Sequence, residues 1–306
     1  MMDRPLTDVV VIGSANRDYL IRVEAIPAAG ETVLARSLTN SCGGKGANQA
    51  VAASRLGARV SFVGCVGDDA DGALLLREMR SEGVDVADVE VLHESTTGRA
   101  FVSVDDAGEN CIAVVSGANA KVNAAKVRRV VERSDPQSIV VLQGEIPADT
   151  VAEAVRSAQP RRVIVNLAPV IALPDDVIAA ADPLVLNEQE AATLSGVPVH
   201  DAESALEAAA ALSPAPTSVV ITIGAGGAVW SAEGTSGHEP VRTPVAAIDT
   251  TGAGDAFVGA LAASLSHGNG LADAVGFGVR AGSYAVSRPG AQASYAYYSD
   301  LVPDLV

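Results

Sequence analysis

Short runs of Val, Ile and Leu alternate along the chain with longer Ala-rich stretches whose apolar residues recur at helical spacing. The apolar runs at residues 8–13, 60–65, 138–142, 162–166, 183–186 and 218–223 predict strands buried on both faces. Residues 46–56, 70–81, 124–132, 150–157, 202–212 and 255–266 predict the helices between them. This alternation predicts an α/β fold over residues 1–306: one doubly wound, mostly parallel sheet flanked by helices. In sheets of this kind a ligand sits beyond the carboxyl ends of the strands.

Two stretches break the rhythm. Residues 18–24 and 31–38 alternate like antiparallel strands about a turn at 27–30, and residues 98–105 and 110–115 do so about a turn at 106–108. They predict a small β-sheet inserted after the first and third strands, a lid built from segments of about 17–40 and 96–116. A sheet so small needs an apolar partner surface. It is expected to cover a site, to pair with another subunit, or to do both.

The richest candidate chemistry lies at the start of the last predicted helix, in Thr250-Thr251-Gly252-Ala253-Gly254-Asp255-Ala256. Unpaired N–H groups at the positive end of a helix suit a phosphate, and Asp255 places a carboxylate at its lip. That pairing suits phosphoryl transfer to a hydroxyl. After the first strand, Asn16 and Asp18 point the same way in an extended segment, either to bind vicinal hydroxyls or merely to form a turn. The loop Gly43-Gly44-Lys45-Gly46-Ala47-Asn48-Gln49 lacks P-loop spacing, because Thr39 stands where the first glycine belongs. Its glycines either admit a ligand close to the backbone, with Lys45 and Asn48 turned to it, or form a helix entry. In Gln143-Gly144-Glu145-Ile146-Pro147, Glu145 faces a ligand hydroxyl or solvent. The turn Thr222-Ile223-Gly224-Ala225-Gly226-Gly227 lacks a dinucleotide fingerprint and leads into a further strand at 228–231, so a hairpin touching a mononucleotide fits it better.

Composition narrows the classes. The formal net charge of −16, without a Lys/Arg-rich run, speaks against nucleic acid and against an anionic membrane. The leading segment, from Met1 through Asp3 and Arg4 into the apolar run at 9–12, is too short for a signal-peptide core or a span. Cys42, Cys65 and Cys111 have no metal-ligand spacing, which suits reduced thiols in a cytoplasm; Cys42, beside a glycine pair, is either reactive or simply small and apolar. The four histidines carry no ligand spacing, and neither H-E-x-x-H nor G-x-S-x-G occurs.

Residues 13–18, the loop 43–49 and the segment 249–257 together resemble the ribokinase family of sugar and nucleoside kinases; the last is similar to the family signature D-T-x-G-A-G-D-x-F. The likeness extends over essentially the whole chain, including Asn187-Glu188-x-Glu190 and the tail Arg288-Pro289-Gly290-Ala291-Gln292. It implies transfer of the ATP γ-phosphoryl group to the 5-hydroxyl of D-ribose, or to deoxyribose, fructose, a nucleoside or another small sugar. A silent sugar-binding module is the reading from another class. By matching position, Asn16, Asp18, Gly44, Lys45, Asn48 and Glu145 would bind the sugar, and Asp255 would be the general base. Gly252, Ala253 and Gly254 would form the anion hole, while Asn187, Thr222, Gly224 and Gly227 would contact ATP. Glu190 would organise Mg2+ through water, and Asp249, Thr251, Ala285, Arg288, Gly290 and Ser294 would surround K+. The resemblance also implies a homodimer joined through the lid sheets. Arg17, Arg99 and Val279 depart from the family pattern, and Arg99 in the lid would favour a substrate carrying an anionic group.

Overall fold

In β1 (Val9–Ile12), Val9 and Val11 enter one hydrophobic cluster, and Val10 and Ile12 enter another on the opposite face. Side chains alternate across a strand, so a continuous apolar run can only be satisfied between two helical layers. The computed structural model describes residues 8–302. Met1, Asp3 and Arg4, on which the reading of the leading segment rests, lie outside the described residues.

After β1 come β2 (Asn16–Arg22), β3 (Ser37–Gly43), α1 (Lys45–Arg55), β4 (Val60–Val63), β5 (Cys65–Gly67), α2 (Ala70–Ser81) and β6 (Glu90–Leu92). Then follow β7 (Gly98–Val104), β8 (Asn110–Val115), α3 (Ala124–Arg133), β9 (Ile139–Gln143), α4 (Ala148–Ala158), β10 (Val163–Asn166) and α5 (Asp175–Ala179). β11 (Leu184–Asn187), α6 (Glu188–Ser195), α7 (Ala202–Ala211), β12 (Ser218–Thr222), β13 (Ala228–Ala232) and β14 (Thr235–Glu239) lead to α8 (Ala253–Ser266), α9 (Leu271–Val286) and α10 (Tyr298–Leu301).

The large sheet has eight strands in the order β14-β13-β12-β11-β10-β9-β1-β4, parallel except for the β12-β13-β14 edge. From β1 the chain goes first to β4 on one side and later to β9 on the other. The strand order therefore reverses between β1 and β9, the place where such sheets open a crevice at their carboxyl ends. On one face lie α1, α2, α8 and α9; on the other lie α3, α4 and α7.

The irregular segments meet in a second sheet, β3-β2-β7-β8, in which β2 and β7 run parallel. Two details differ from the pattern. β3 is not at 31–38 but at Ser37–Gly43, because its register with β2 is set by backbone pairing down to Gly43 opposite Asn16. The second insertion follows β4 and a short β5-β6 pair, not a third strand of the large sheet. Among the described residues, no helix is long and apolar enough to cross a membrane.

α9 carries no expectation from the sequence, since Gly276, Gly278 and Gly282 interrupt it and each weakens a helix. Packing explains Gly278: a Cβ there would lie 2.8 Å from the ring of Phe257 on α8. α8 also crosses α1 closely. A Cβ on Gly259 would stand 2.5 Å from the Ala52 Cβ and 2.9 Å from the Ala53 nitrogen. Gly259→Val is therefore expected to cost roughly 1–3 kcal/mol through overpacking, read as a lower urea midpoint at unchanged slope.

Candidate active site

The crevice between β1 and β9 is closed by polar contacts. Ser14 Oγ donates to Glu145 Oε2 at 2.5 Å, and the Lys45 N–H donates to the same oxygen at 3.1 Å. Glycines let the start of α1 approach so closely. Gly44 has φ +87°, and a Cβ on it would lie 2.7 Å from the Asn16 nitrogen; one on Gly46 would lie 2.7 Å from the Ser14 nitrogen. Asn16 is buried, and its Oδ1 accepts from Asn119 Nδ2 at 2.7 Å. Asn119 also accepts from the Ala15 N–H at 3.0 Å, so it fixes the turn that carries Asn16.

Asp18 lies against Gly43, where a Cβ would come within 1.9 Å of its Oδ2. Among the described residues, its Oδ1 is buried without a partner. Burial, and then the charges of Glu145 and Asp255, push its pKa up to about 7, with Arg17 opposing. A carboxylate left in this state is completed by hydroxyl donors. Cys42 is no thiolate, since burial raises its pKa.

Asp255 faces this cluster from the first turn of α8 and is buried. Asn48 Nδ2 donates to its Oδ2 and Gln49 Nε2 to its Oδ1, both at 2.9 Å. Asn48 Oδ1 in turn accepts from Gln292 Nε2 at 2.9 Å, leaving its second amide hydrogen for a ligand. Gly252 caps α8 in the left-handed region at φ 75°, with no side chain taking the first-turn donors. The Ala253 N–H reaches the Thr250 carbonyl at 3.2 Å, whereas a Cβ on Gly254 would meet nothing within 4 Å. The turn at the start of α8 thus has an open side at Gly254. Lys45 holds its proton more firmly than usual, chiefly through the charge of Asp255, with Glu145 and Glu190 adding and burial opposing.

Beyond the cradle opens a cavity of about 680 Å³. Asn187, Thr222, Gly224 and Gly227 line it, and Val241, Val245, Val279 and Val286 supply an apolar wall. Asn187 and Glu190 form a capping box at α6: the Glu190 N–H donates to Asn187 Oδ1 at 2.8 Å and the Asn187 N–H to Glu190 Oε2 at 2.9 Å. Glu190 is raised in pKa, mainly by burial. Beside the cradle, Asp249 accepts from the Thr251 N–H at 2.9 Å and the Gly290 N–H at 2.8 Å. Burial works against its charge, but these hydrogen bonds prevail and hold its pKa below the usual range. Ala285 lies next to this turn, its carbonyl accepting from the Arg288 N–H at 3.0 Å. Buried Ser294 donates its hydroxyl to the Ala291 carbonyl at 2.7 Å.

The profile of the pfkB family carbohydrate kinases matches residues 6–296. The chain belongs to that family. It is 36% identical over 303 residues to a ribokinase of Schizosaccharomyces pombe, covering 94% of this chain and 95% of that one. A deoxyribokinase of Salmonella typhimurium is 32% identical over 292 residues, with 94% and 95% covered. An Arabidopsis thaliana ribokinase structure complexed with ribose and ATP superposes with a TM-score of 0.89 at 29% identity, covering 97% and 98%. The chain is an ATP-dependent sugar kinase.

Within this pfkB-family site, Asn16, Asp18, Gly44, Lys45, Asn48, Glu145 and Asp255 converge, while Asn187, Thr222, Gly224 and Gly227 line the neighbouring cavity. The two lid arginines go elsewhere. In register, Arg17 pairs with Arg99, on the face opposite Asn16 and Asp18. Arg17 bonds Asn40, and Arg99 is held by Asp71 at 2.8 Å and Asp69 at 3.5 Å on and before α2. Arg99 therefore does not offer its charge to a substrate anion. Sequence reasoning missed Asn119, Gln49 and Tyr295. The last buries a hydroxyl without a partner opposite Gly252, 2.5 Å from where a Cβ would stand. For Gln49 a signal was present, since it closes the glycine-rich loop 43–49.

The raised pKa of Asp18 sets a pH dependence. Its folded-state value of about 7 lies above the ordinary carboxylate value of 3.8, so the folded protein holds the extra proton between them. Its contribution to stability is fully present below pH about 4 and is lost as pH rises through about 7. Without sugar, Asp18→Asn should gain stability relative to the parent as pH climbs from 5 to 8, measured as the difference in Tm. A difference that stays flat or falls would contradict the burial of this carboxylate.

Proposed function

We propose that this kinase transfers the γ-phosphoryl group of ATP to the 5-hydroxyl of D-ribose. One observation carries the reading: Lys45 and Asp255 belong both to the polar cluster at the strand ends and to the lining of the cavity beyond it. A sugar held by Asn16, Asp18, Gly44, Lys45, Asn48 and Glu145 would present its primary hydroxyl to Asp255. Asn187, Thr222, Gly224 and Gly227 would hold ATP with its phosphates toward the cradle. Asp255 takes the hydroxyl proton as the oxygen bonds to phosphorus and the ADP oxygen departs. The transition state is loose, so positioning and charge stabilisation do most of the work. The N–H groups of Gly252, Ala253 and Gly254, with the Lys45 ammonium, meet the charge that spreads over the transferring group.

The residues present fit the implied cations. Asp249, with Thr251, Ala285, Arg288, Gly290 and Ser294 offering mainly carbonyl oxygens, is an oxygen-rich set suited to K+, which would set the shape of the adjacent hole. Glu190, in the cavity beside Lys45, would orient water on a phosphate-bound Mg2+. The sheet β3-β2-β7-β8 would act as the lid. On its face opposite Asn16 and Asp18, the exposed Leu38, Phe101 and Val115 support a homodimer through these sheets. A cytoplasmic location fits the reduced thiols.

The likeness to a deoxyribokinase keeps 2-deoxy-D-ribose as the second reading. ADP release measured with D-ribose, 2-deoxy-D-ribose, fructose and nucleosides, with and without K+, separates them. D-ribose should give the highest kcat/KM and K+ should raise the rate; a higher kcat/KM for 2-deoxy-D-ribose would transfer the assignment to that sugar. Stabilisation by ribose without ADP formation would mark a silent binding module instead. Asp255→Asn should fold and bind ATP but lose at least about 100-fold in kcat. Near-normal turnover by that variant removes Asp255 from the role of base.

A further inference from the structure

The loop Gln143–Pro147 drew attention for Glu145, yet Gln143 reaches deeper into the site. Gln49 is fully buried, and all its polar atoms are engaged. Its Nε2 donates to Asp255 Oδ1 and to Asn166 Oδ1, each at 2.9 Å, and its Oε1 accepts from Gln143 Nε2 at 2.8 Å. The two ends of an amide have nearly the same shape but opposite hydrogen-bond sense. Because the Asp255 carboxylate only accepts, Gln49 must turn its NH2 to the carboxylate and its oxygen to Gln143, which donates to it. In the reverse orientation, two acceptors would oppose each other in a buried space, at full desolvation cost.

Gln143 is itself placed by shape. Its Oε1 is buried without a partner among the described residues, 1.9 Å from where a Cβ on Gly13 would stand. Only a glycine at the end of β1 leaves that side chain room. The Asn166 amide, anchored on the Val185 carbonyl at 3.2 Å, completes the arrangement from β10.

We propose that Gln143 and Gln49 form a positioning chain that aims the Asp255 carboxylate at the substrate hydroxyl. Gln143 takes up the Gln49 oxygen and braces that amide, and Gln49 holds one oxygen of Asp255 while Asn48 holds the other. This rests on the reading of Asp255 as the base. Gln49 and Gln143 are buried and neither lines the cavity, so they would act on orientation and not on binding.

The test is a kinetic cycle in the full-length enzyme with D-ribose and ATP. Gln49→Met and Gln143→Met should each lower kcat about tenfold, a fraction of what a whole oriented donor commands. KM for both substrates should stay within about twofold. The double variant should resemble either single one, since both break the same chain. A kcat near the parent's in either folded single variant, or losses that multiply in the double, overturns the proposal. Should Gln49→Met fail to fold, nitrogen-15 NMR of the glutamine side-chain amides decides in its place. The Gln49 NH2 resonances must shift in Gln143→Met, and an unmoved pair overturns the chain. If Asp255→Asn retains turnover, the base assignment fails whatever these variants show. If Asp255→Asn is inactive while the glutamine variants are normal, only the positioning chain fails.

Discussion

Where α1 crosses α8, Gly259 lies against Ala52 and Ala53, and the rest of the site follows from that contact. Asp255 sits one helical turn before Gly259, so the same crossing presses its carboxylate onto Asn48 and Gln49. α1 is fixed at its other end by Gly44 and Gly46, which pack on the backbone leaving β1. Asp255, the helix that holds its carboxylate and the strand end that carries Asn16 and Asp18 are thus packed as one unit. A side chain at any of these glycines would separate them.

Charge gives the crevice its selectivity. Asp255, Glu145 and Glu190 act on the Lys45 ammonium, and Asp18, facing Glu145 and Asp255, is pushed toward its neutral form. Under the proposed function such a site would favour a polyol, whose hydroxyls satisfy carboxylate oxygens, over an anionic sugar. Arg17 and Arg99 would have reversed that preference had they faced inward. The alternation of β2 and β7 turns them to the other face, where Asp69 and Asp71 hold Arg99. On the cavity side the balance changes: an apolar wall including Val279 meets a cradle of backbone N–H groups. The two halves share little besides Lys45 and Asp255.

Much of this was legible in the sequence. The parallel strands were readable because burial on both faces leaves continuous apolar runs, and the glycine turn before α8 announced a phosphate-sized opening. What escaped notice depends on contacts between distant segments. α9 hides behind glycines whose purpose is to admit Phe257. β3 is polar at Thr39, Asn40 and Ser41, and its register comes from pairing with β2, which no local periodicity records. Asn119 and Gln143 lie on loops or strand ends far from the residues they serve, so their roles exist only once the sheet is assembled. Arg99 looked like an anion receptor because its partner Asp71 is on another element.

The central claim is that the two halves of the site meet at Asp255. A crystal structure with D-ribose and a non-hydrolysable ATP analogue tests it most directly. The primary hydroxyl of the sugar is expected within about 2.6–3.2 Å of an Asp255 oxygen, with the terminal phosphate beside the Gly254 N–H. A sugar bound with that hydroxyl turned away from Asp255, or a nucleotide whose terminal phosphate lies outside the cradle, would contradict it.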